Sequence, residues 1–220
     1  MATRTAPRQA RSARSLDLIL DAAERLLQER GVVETSTVDV AAAAGVSVGR
    51  LYYWFPDKDA VVRAVLLRAE HQMRSLLTDT IEAIGAQPAT DACGEVLPVI
   101  ARFFRSHSGS LAVLQRGPVD GDDPGRGLCM VFEQVMADLV GACVPLIDRD
   151  ERDQVAATLV RIIIAMLPPY VRADDRRSES HLAELGYVVG AYLHCRFPAA
   201  VDPPRRPLHS GEGSVLATPR

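Results

Sequence analysis

The chain has 220 residues, 48% of them hydrophobic, which is enough for one or two domains with a buried core. Its formal net charge is −3, so the protein as a whole is not basic. The charge is uneven: residues 1–68 hold ten basic and eight acidic side chains, whereas the remainder holds fifteen and twenty. This distribution favours nucleic-acid contact at the N-terminal part of the chain, and an ordinary solvated surface is the alternative explanation of its small positive charge.

The first fourteen residues contain Arg4, Arg8, Arg11 and Arg14 and no acidic residue. We predict that residues 1–14 form a flexible basic arm that follows DNA phosphates or enters a minor groove. A poorly ordered terminus with incidental arginines is the alternative. The arginines are not followed by the apolar run of a signal peptide, and no uninterrupted apolar stretch has membrane-spanning length. We therefore expect neither a targeting segment nor contact with a membrane.

Local signals predict three helices in the N-terminal part of the chain. Apolar residues at helical spacing indicate a first helix over residues 15–30, which ends at Gly31. Ser36 is suited to cap a second helix of about two turns, and Ser47 is suited to cap a third. Gly45 lies between the two short helices, where it can adopt a positive φ without steric cost. Two short helices joined by a glycine turn are typical of a helix-turn-helix.

The third helix has the character of a recognition helix, which lies in the DNA major groove. By helical spacing Leu51 points into the core, while small, basic and aromatic side chains around it point outward. Pro56 cannot continue the helix, so the recognition helix is short. The residues predicted to face DNA on this helix are Val48, Gly49, Arg50 and Tyr53.

At these residues the chain resembles the TetR (tetracycline-repressor-like) family of transcriptional regulators. The resemblance covers about Leu16 to Leu66, through Ile19-Leu20-Asp21-Ala22-Ala23, Gly45-Val46-Ser47, Leu51-Tyr52 and Phe55-x-x-Lys58. The chain departs from the family at Val48, where lysine is often found, so no operator sequence is carried over. The resemblance implies contacts to DNA phosphates from Thr35, Ser36, Ser47, Tyr52 and Lys58.

The rest of the chain also has helical patterns, and we predict an all-α fold. A long helix over residues 58–84 connects the DNA-binding part to a helical body. We assign residues 15–60 to a helix-turn-helix DNA-binding domain and residues 61–197 to an effector-binding and dimerisation domain. Residues 198–220, which are rich in proline, are predicted to form a disordered tail.

Within the body we predict five or six helices, which include ranges 91–107, 110–115, 127–146, 150–167 and 180–196. Pro98 is expected to interrupt or kink the first of these ranges. Pro168 and Pro169 are expected to end the fourth, because proline cannot continue a helix. Residues 117–125 contain many turn-forming residues and predict an exposed loop.

Two body helices, over residues 150–167 and 180–196, are too apolar for ordinary surface helices. Packing inside a single chain accounts for part of this apolar surface. TetR-like proteins generally pair through their last two long helices, so the resemblance implies a homodimer. Gly186 and Gly190 lie one turn apart, which permits two backbones to approach closely. The predicted interface comprises Leu159, Ile162, Ile163, Met166, Gly186, Val189, Gly190 and Leu193.

The resemblance also implies a small-molecule effector held between the body helices. The sequence offers lining candidates rather than a signature, since aromatic and methionine side chains at helical spacing also form plain core. The candidate effector-binding residues are Phe103, Phe104, His107, Met130, Phe132, Met136, Met166 and Tyr170.

Residue types that carry catalysis or metal binding are scattered along the chain. The four cysteines lack CxxC spacing, which is typical of free thiols in a reducing cytoplasm. His194 and Cys195 are adjacent potential metal ligands, but no second pair lies nearby in the sequence. No HExxH motif of a zinc peptidase is present, and the single GxSxG spacing, Gly45 to Gly49, coincides with the turn and cap of the predicted helix-turn-helix. We therefore predict no metal, no cofactor and no enzymatic activity.

These patterns predict a cytoplasmic bacterial transcriptional regulator, a homodimeric repressor of a palindromic double-stranded DNA operator. The resemblance implies that a small, partly hydrophobic effector releases it. Effector binding would shift the long helix, so that two recognition helices no longer match successive major grooves about 34 Å apart. The alternatives are a DNA-bound interaction protein without an effector and, from another class, a helical enzyme.

Overall fold

The computed structural model describes residues 6–84, 89–115, 125–144, 146–172 and 175–198. Over these residues the chain is all-α. The described helices are α1 (Ala6–Glu34), α2 (Thr37–Ala43), α3 (Val48–Trp54), α4 (Lys58–Ile84), α5 (Ala89–Ser106), α6 (Ser108–Leu114), α7 (Arg126–Cys143), α8 (Arg149–Arg172) and α9 (Asp175–Arg196). We call α1–α3 with the start of α4 the head, and α5–α9 the body.

Helix α1 begins earlier than the sequence patterns predict. It includes residues 6–14, which we expected to belong to a flexible arm, while residues 1–5 lie outside the described part. Pro7 falls in the first turn, where a missing N–H costs nothing, and no helix breaker follows until Gly31. At Gly31 the backbone is non-helical, with φ of 74°, so the predicted break is present although helical residues follow it.

Side-chain caps define the two short helices of the head, as predicted. Ser36 accepts a hydrogen bond from the Asp39 amide at 3.1 Å, and the Asp39 carboxylate accepts one from the Ser36 amide at 3.3 Å. Ser47 accepts from the Arg50 amide at 3.2 Å, which starts α3. Gly45 has φ of 67° in the turn between the helices. The helix-turn-helix therefore follows from these local contacts.

Helix α4 runs from Lys58 to Ile84, the range that the sequence predicts. Asp57 caps its start by accepting a hydrogen bond from the Ala60 amide at 2.7 Å. The first half of α4 packs on the head through Val61, Val62 and Val65, which are all buried. Its second half continues into the body, where Met73 and Leu77 are buried, so one helix belongs to both cores.

Pro168 and Pro169 do not end α8, contrary to the prediction. The helix continues to Arg172 with both prolines inside it. Pro168 has no N–H to donate to the Ile164 carbonyl, four residues earlier. That carbonyl instead accepts a hydrogen bond from Gln115 Nε2 at 3.3 Å. A side chain from another part of the body thus supplies the missing donor.

The other body helices lie close to their predicted ranges, and α5 includes Pro98. Helix α9 starts at Asp175, five residues before the predicted start. Its first turn is joined to α8, because the Ser178 hydroxyl donates to the Tyr170 carbonyl at 3.0 Å and accepts from Arg105 at 2.7 Å. The predicted loop is outside the described residues except for Gly125, and so is the predicted tail beyond residue 198.

Candidate nucleic-acid interface

The outward face of α3 carries large side chains that the head leaves in solvent. Tyr53 is 74% exposed, and Val48 and Tyr52 are also exposed. Gly49 is exposed between them, and a Cβ there would meet nothing within 4 Å in the described part of the chain. On the opposite side Leu51 is fully buried, which fixes the rotation of α3 about its axis. The helix therefore presents one defined face to a partner.

Arg50 and Tyr53 lie side by side on this face. The guanidinium carbon of Arg50 is 5.7 Å from the centroid of the Tyr53 ring, within range of a cation–π interaction. Tyr53 in turn meets the Trp54 ring edge to face, with centroids 5.4 Å apart. The arrangement offers guanidinium donors, suited to guanine, next to an aromatic surface, suited to a base edge or thymine methyl.

Hydroxyl groups join the two helices at the edge of the candidate interface. The Tyr52 hydroxyl lies 3.1 Å from the Thr37 hydroxyl, so it bridges α3 and α2. Ser36 and Ser47 are exposed, and each hydroxyl already caps a helix. A hydroxyl has one proton to donate. The Ser47 hydroxyl only accepts in its cap and keeps that proton for a phosphate oxygen, whereas the Ser36 hydroxyl donates its proton to the Asp39 carboxylate.

The candidate Thr35 does not lie on the DNA-facing surface. Its residue is only 3% exposed, and its hydroxyl donates to the Gly31 carbonyl at 2.7 Å and lies 3.3 Å from the Leu26 carbonyl. These carbonyls are at the end of α1, where helical acceptors lose their own partners. Thr35 therefore stabilises the end of α1, and its buried hydroxyl is not placed to contact a phosphate.

Lys58 also has a structural partner that sequence reasoning did not foresee. Its ammonium donates to the Val32 carbonyl at 2.9 Å and lies 3.4 Å from the Val33 carbonyl. A cation at the C-terminal end of a helix is favoured by both the free carbonyls and the helix dipole. In the described structure Lys58 joins α4 to the end of α1, instead of extending toward solvent.

The effector candidates do not form a single lining. Phe103, Phe104, Phe132 and Met136 are buried, and the Phe104 and Phe132 rings stack with centroids 5.4 Å apart. The His107 ring stacks on Phe103 at 4.0 Å. Together these residues form a packed aromatic cluster between α5 and α7.

Three further candidates lie apart from this cluster. Met130 is 56% exposed on the outer side of α7, so it cannot line an enclosed pocket. Met166 and Tyr170 are half-buried on α8, and the guanidinium of Arg105 lies 4.5 Å from the Tyr170 ring centroid.

Most of the predicted dimer interface is buried within one chain. Gly190 is among the buried residues, and the others are Leu159, Ile163, Val189 and Leu193, each at most 3% exposed. Their neighbours in α8, α9 and α5 already cover them, so they cannot face a second chain. Of the predicted set, Ile162, Met166 and Gly186 are half-buried. A Cβ at Gly186 would meet only Leu97 in the described part of the chain, at 4.0 Å.

A different stripe of α8 and α9 remains at the surface. On α8 it includes Arg161 and Ala165, which are exposed, and on α9 it includes Tyr187 and Ala191, which are half-exposed. Residues four apart lie on one face of a helix, so each pair marks a continuous stripe.

Helix α8 is long and apolar enough to cross a membrane by length and composition alone. Core helices also pass this test, and 44% of the most apolar window of α8 is buried. The exposed stripe has helical spacing and could have been recognised in the sequence. The prediction instead selected the face with larger apolar side chains, and that face is buried within the chain.

Cysteine and histidine residues do not converge in the described structure. Among the residues that it describes, no group of three or more histidine, cysteine, aspartate or glutamate side chains is placed to hold a metal ion. Cys129 is half-buried and Cys195 is exposed, and neither forms a disulfide in the described part of the chain.

Comparison with known proteins agrees with this architecture. Residues 19–65 match the family described as bacterial regulatory proteins, tetR family. The chain is similar to the transcriptional repressor BepR of Brucella suis, with 24% identity over 84% of this chain and 82% of that protein. It is 33% identical to the transcriptional regulator EthR of Mycobacterium tuberculosis over 100 residues, 45% of this chain and 44% of EthR.

Solved structures show the same fold. A tetR-family transcriptional regulator from Streptomyces coelicolor superposes with a TM-score of 0.63 at 20% identity, over 90% of this chain and 84% of that one. A gamma-butyrolactone receptor described as an ArpA-like protein superposes with a TM-score of 0.59 at 23% identity, over 82% and 88% of the two chains. The predicted all-α fold with an N-terminal helix-turn-helix is thereby confirmed.

Proposed function

We propose that this chain is a transcriptional regulator of the tetR family of bacterial regulatory proteins, and that it represses transcription as an effector-released homodimer on a palindromic operator. Its relatives are regulators rather than enzymes, and tetR-family regulators bind DNA. BepR is itself named a repressor, which favours repression over activation for this chain. The four cysteines without CxxC spacing favour a cytoplasmic location.

The exposed face of α3 carries the proposal of base reading. Arg50 is placed to donate two hydrogen bonds to a guanine, a contact worth about 1–3 kcal/mol of discrimination. Tyr53 lies beside it and contacts a neighbouring base or methyl group, while Val48 and Gly49 allow the helix start to approach the groove floor. Ser47 and Tyr52 lie at the edge of this face and position it through phosphates, and Ser36 joins them if its hydroxyl proton turns from the Asp39 carboxylate to a phosphate oxygen.

A homodimer is required because one seven-residue helix reads too few base pairs to select an operator. The outward stripe of α8 and α9 supports this assembly, since Ala165 and Ala191 permit close packing and Tyr187 supplies an aromatic anchor. Operator binding then requires that two-fold pairing through this stripe present the two heads to successive turns on the same side of the DNA. The proposed interface is therefore the solvent-facing side of the two helices, not the buried side that the sequence suggested.

Effector release is supported by the position of the aromatic cluster. Phe103, Phe104 and Phe132 are apolar, and His107 adds ring nitrogens that can orient a polar group. An effector that opens this cluster must bind the released conformation more tightly than the DNA-bound one, because equal affinities would shift nothing. Expansion between α5 and α7 would displace α4, which packs on the body and on the head.

Selection of binding sites from random duplex DNA tests the proposal directly. We expect the full chain to enrich a palindrome whose half-sites are centred about one helical turn apart. Absence of any enriched sequence would contradict operator binding.

Dimerisation is tested separately by light scattering on Ala165→Glu. This variant places two like charges across the proposed two-fold axis and should yield a folded monomer. Glu95→Ala, at an exposed site on α5, is the control and should remain dimeric.

A second experiment distinguishes an effector-released regulator from a DNA-bound protein that only recruits partners. A thermal-shift screen with lipophilic metabolites should identify compounds that stabilise the protein. The same compounds should release it from the selected operator. Compounds that stabilise without releasing DNA, or a screen without hits, would favour the recruiting function.

A further inference from the structure

Glu24 is a charged side chain that α1 buries, and the DNA-reading face does not use it. The residue is about 9% exposed. Its carboxylate accepts two hydrogen bonds from one residue of α6, the Ser110 amide at 2.8 Å and the Ser110 hydroxyl at 2.8 Å. A buried carboxylate is costly unless it is hydrogen-bonded, so these contacts hold Glu24 in a single position.

The helix that Glu24 contacts is enclosed by the rest of the protein. Its first turn, Ser108, Gly109 and Ser110, is buried. His107 precedes this helix and makes no side-chain capping hydrogen bond to it in the described structure. The amides of a first helical turn need acceptors from outside the helix. Glu24 of the head therefore supplies the cap of a body helix, a role normally filled by the residue before the helix.

Gly109 brings the backbones of the two helices into direct contact. A Cβ at this position would overlap the carbonyl oxygen of Glu24. The overlap involves a backbone atom of α1, which cannot rotate away as a flexible side chain would. Helices α6 and α1 can therefore keep their separation only with glycine at this position.

The start of α6 is also attached to α4 and to the aromatic cluster. His107 Nε2 lies 2.7 Å from Gln72 Oε1 on α4. One face of the same imidazole stacks on the Phe103 ring. The Phe103 ring in turn meets the Phe104 ring edge to face, with centroids 5.4 Å apart. A continuous set of contacts thus runs from the body aromatics, through the first turn of α6, to both α1 and α4.

We propose that Glu24 is a positioning residue, whose cap on α6 fixes the orientation of the head on the body. Displacement of the α6 start by changes in the aromatic cluster then moves α1 directly. The effect on DNA rests on the proposed function, whereas the joint itself does not. Because Glu24 is remote from the exposed face of α3, the joint sets where the recognition helix lies and leaves its base preference unchanged.

Hydrogen exchange of the full chain without DNA tests the joint. In Glu24→Ala the Ser110 amide loses its acceptor, and exchange in the first turn of α6 should quicken by about ten-fold or more. Glu24→Gln keeps an oxygen of the same shape and should exchange within a few-fold of the unmodified chain. Unchanged exchange in Glu24→Ala would overturn the proposal.

Two matched controls separate the joint from general loosening. Asp21→Ala removes another α1 carboxylate, which contacts Arg68 of α4 at 2.7 Å but is exposed, and should leave α6 exchange unchanged. Gly109→Ala should quicken exchange in α6, whereas Gly94→Ala should not, because a Cβ at Gly94 meets nothing within 4 Å in the described part of the chain. Equal effects in either matched pair would contradict the proposed role.

A further variant applies if Glu24→Ala fails to fold. Ser110→Ala removes only the hydroxyl bond and should quicken exchange by a few-fold. Unchanged exchange in this variant would overturn the proposal.

Operator binding provides the functional measurement. Against the selected operator, Glu24→Ala should lose about ten-fold in affinity and tolerate altered half-site spacing, while base preference within each half-site is retained. Wild-type affinity and spacing preference in this variant would show that the joint does not position the head. An unmodified chain that selects no DNA contradicts the proposed function alone, since the exchange measurement still decides the joint.

Discussion

The head and the body are both helical, but they differ in whether nearby residues in the sequence determine which helix face is exposed. In the head, α2 and α3 have seven residues each, and a serine cap fixes where each begins. One buried residue, Leu51, then determines which side chains of α3 face outward. In the body, α8 is apolar on several sides, so its neighbours decide which side is buried. Local signals therefore predict which residues of α3 are exposed, but they do not predict which residues of α8 are buried within the chain.

The comparison has a practical consequence for mutations at large apolar residues. In the head, Tyr53 is a surface residue, and its replacement should affect binding more than folding. In the body, Ile163 and Val189 are core residues, and their replacement should affect folding more than assembly. Substitutions in the two regions can test this difference.

Gly190→Leu should unfold or strongly destabilise the single chain, although Gly190 was first assigned to the dimer interface. Gly190 is buried, so four added carbons must displace packed neighbours, at a cost of about 3 kcal/mol. Thermal or urea unfolding measures this loss. Gly94→Leu, at an exposed site on α5 where a Cβ would meet nothing within 4 Å in the described part of the chain, is the control and should retain stability. A Gly190→Leu chain of normal stability that becomes monomeric would restore the original assignment.

Arg50→Ala should relax specificity at one base pair of each half-site, at a cost of about 1–3 kcal/mol per contact, with little change in unfolding. Site selection followed by affinity measurement on single-base variants checks this expectation. Arg63→Ala removes an exposed arginine of α4 that lies 3.8 Å from Asp57, and it serves as the control. An identical selected motif for Arg50→Ala and the unmodified chain would refute base reading by this residue.

Lys58→Met should lower stability by about 1 kcal/mol, because the carbonyls at the end of α1 lose a charged donor. Methionine keeps most of the aliphatic length, so packing is preserved. The salt dependence of operator binding distinguishes this structural role from a phosphate contact. If Lys58 stays on α1 in the complex, the slope is unchanged. A slope reduced by about one unit would mean that Lys58 leaves α1 to contact a phosphate.

Asp39→Asn should have a small, pH-dependent effect. Hydrogen bonds from Ser36, together with the Arg30 guanidinium, hold the pKa of the Asp39 carboxyl below its usual range. A lowered pKa in the folded state means that ionised Asp39 stabilises the head above its unfolded pKa, and that this contribution is lost as pH falls through the folded value. The stability difference between the two proteins should therefore shrink between about pH 5 and pH 2. A constant difference over that range would argue against the capping box as its origin.

In the head, the side chains of Thr35 and Lys58 have partners that their motif positions do not predict. Thr35 and Lys58 were assigned to phosphates from their positions in the motif, yet both side chains bind carbonyls at the end of α1. Those carbonyls become available where α1 breaks at Gly31, 27 residues before Lys58 in the chain. Motif spacing does not encode which remote backbone group a polar side chain reaches.

Structural features with local causes can be predicted from the amino-acid sequence. Caps at Ser36 and Ser47, the positive φ at Gly45 and the apolar spacing in α4 involve residues within a few positions of one another. Contacts between distant segments become visible only in the folded chain. Helix α8 continues through Pro168, where Gln115 donates a hydrogen bond to the Ile164 carbonyl. Glu24 caps α6, and the two residues of that contact are 86 positions apart. A helix pattern specifies which residues share a face, but burial and hydrogen bonding depend on what packs against that face.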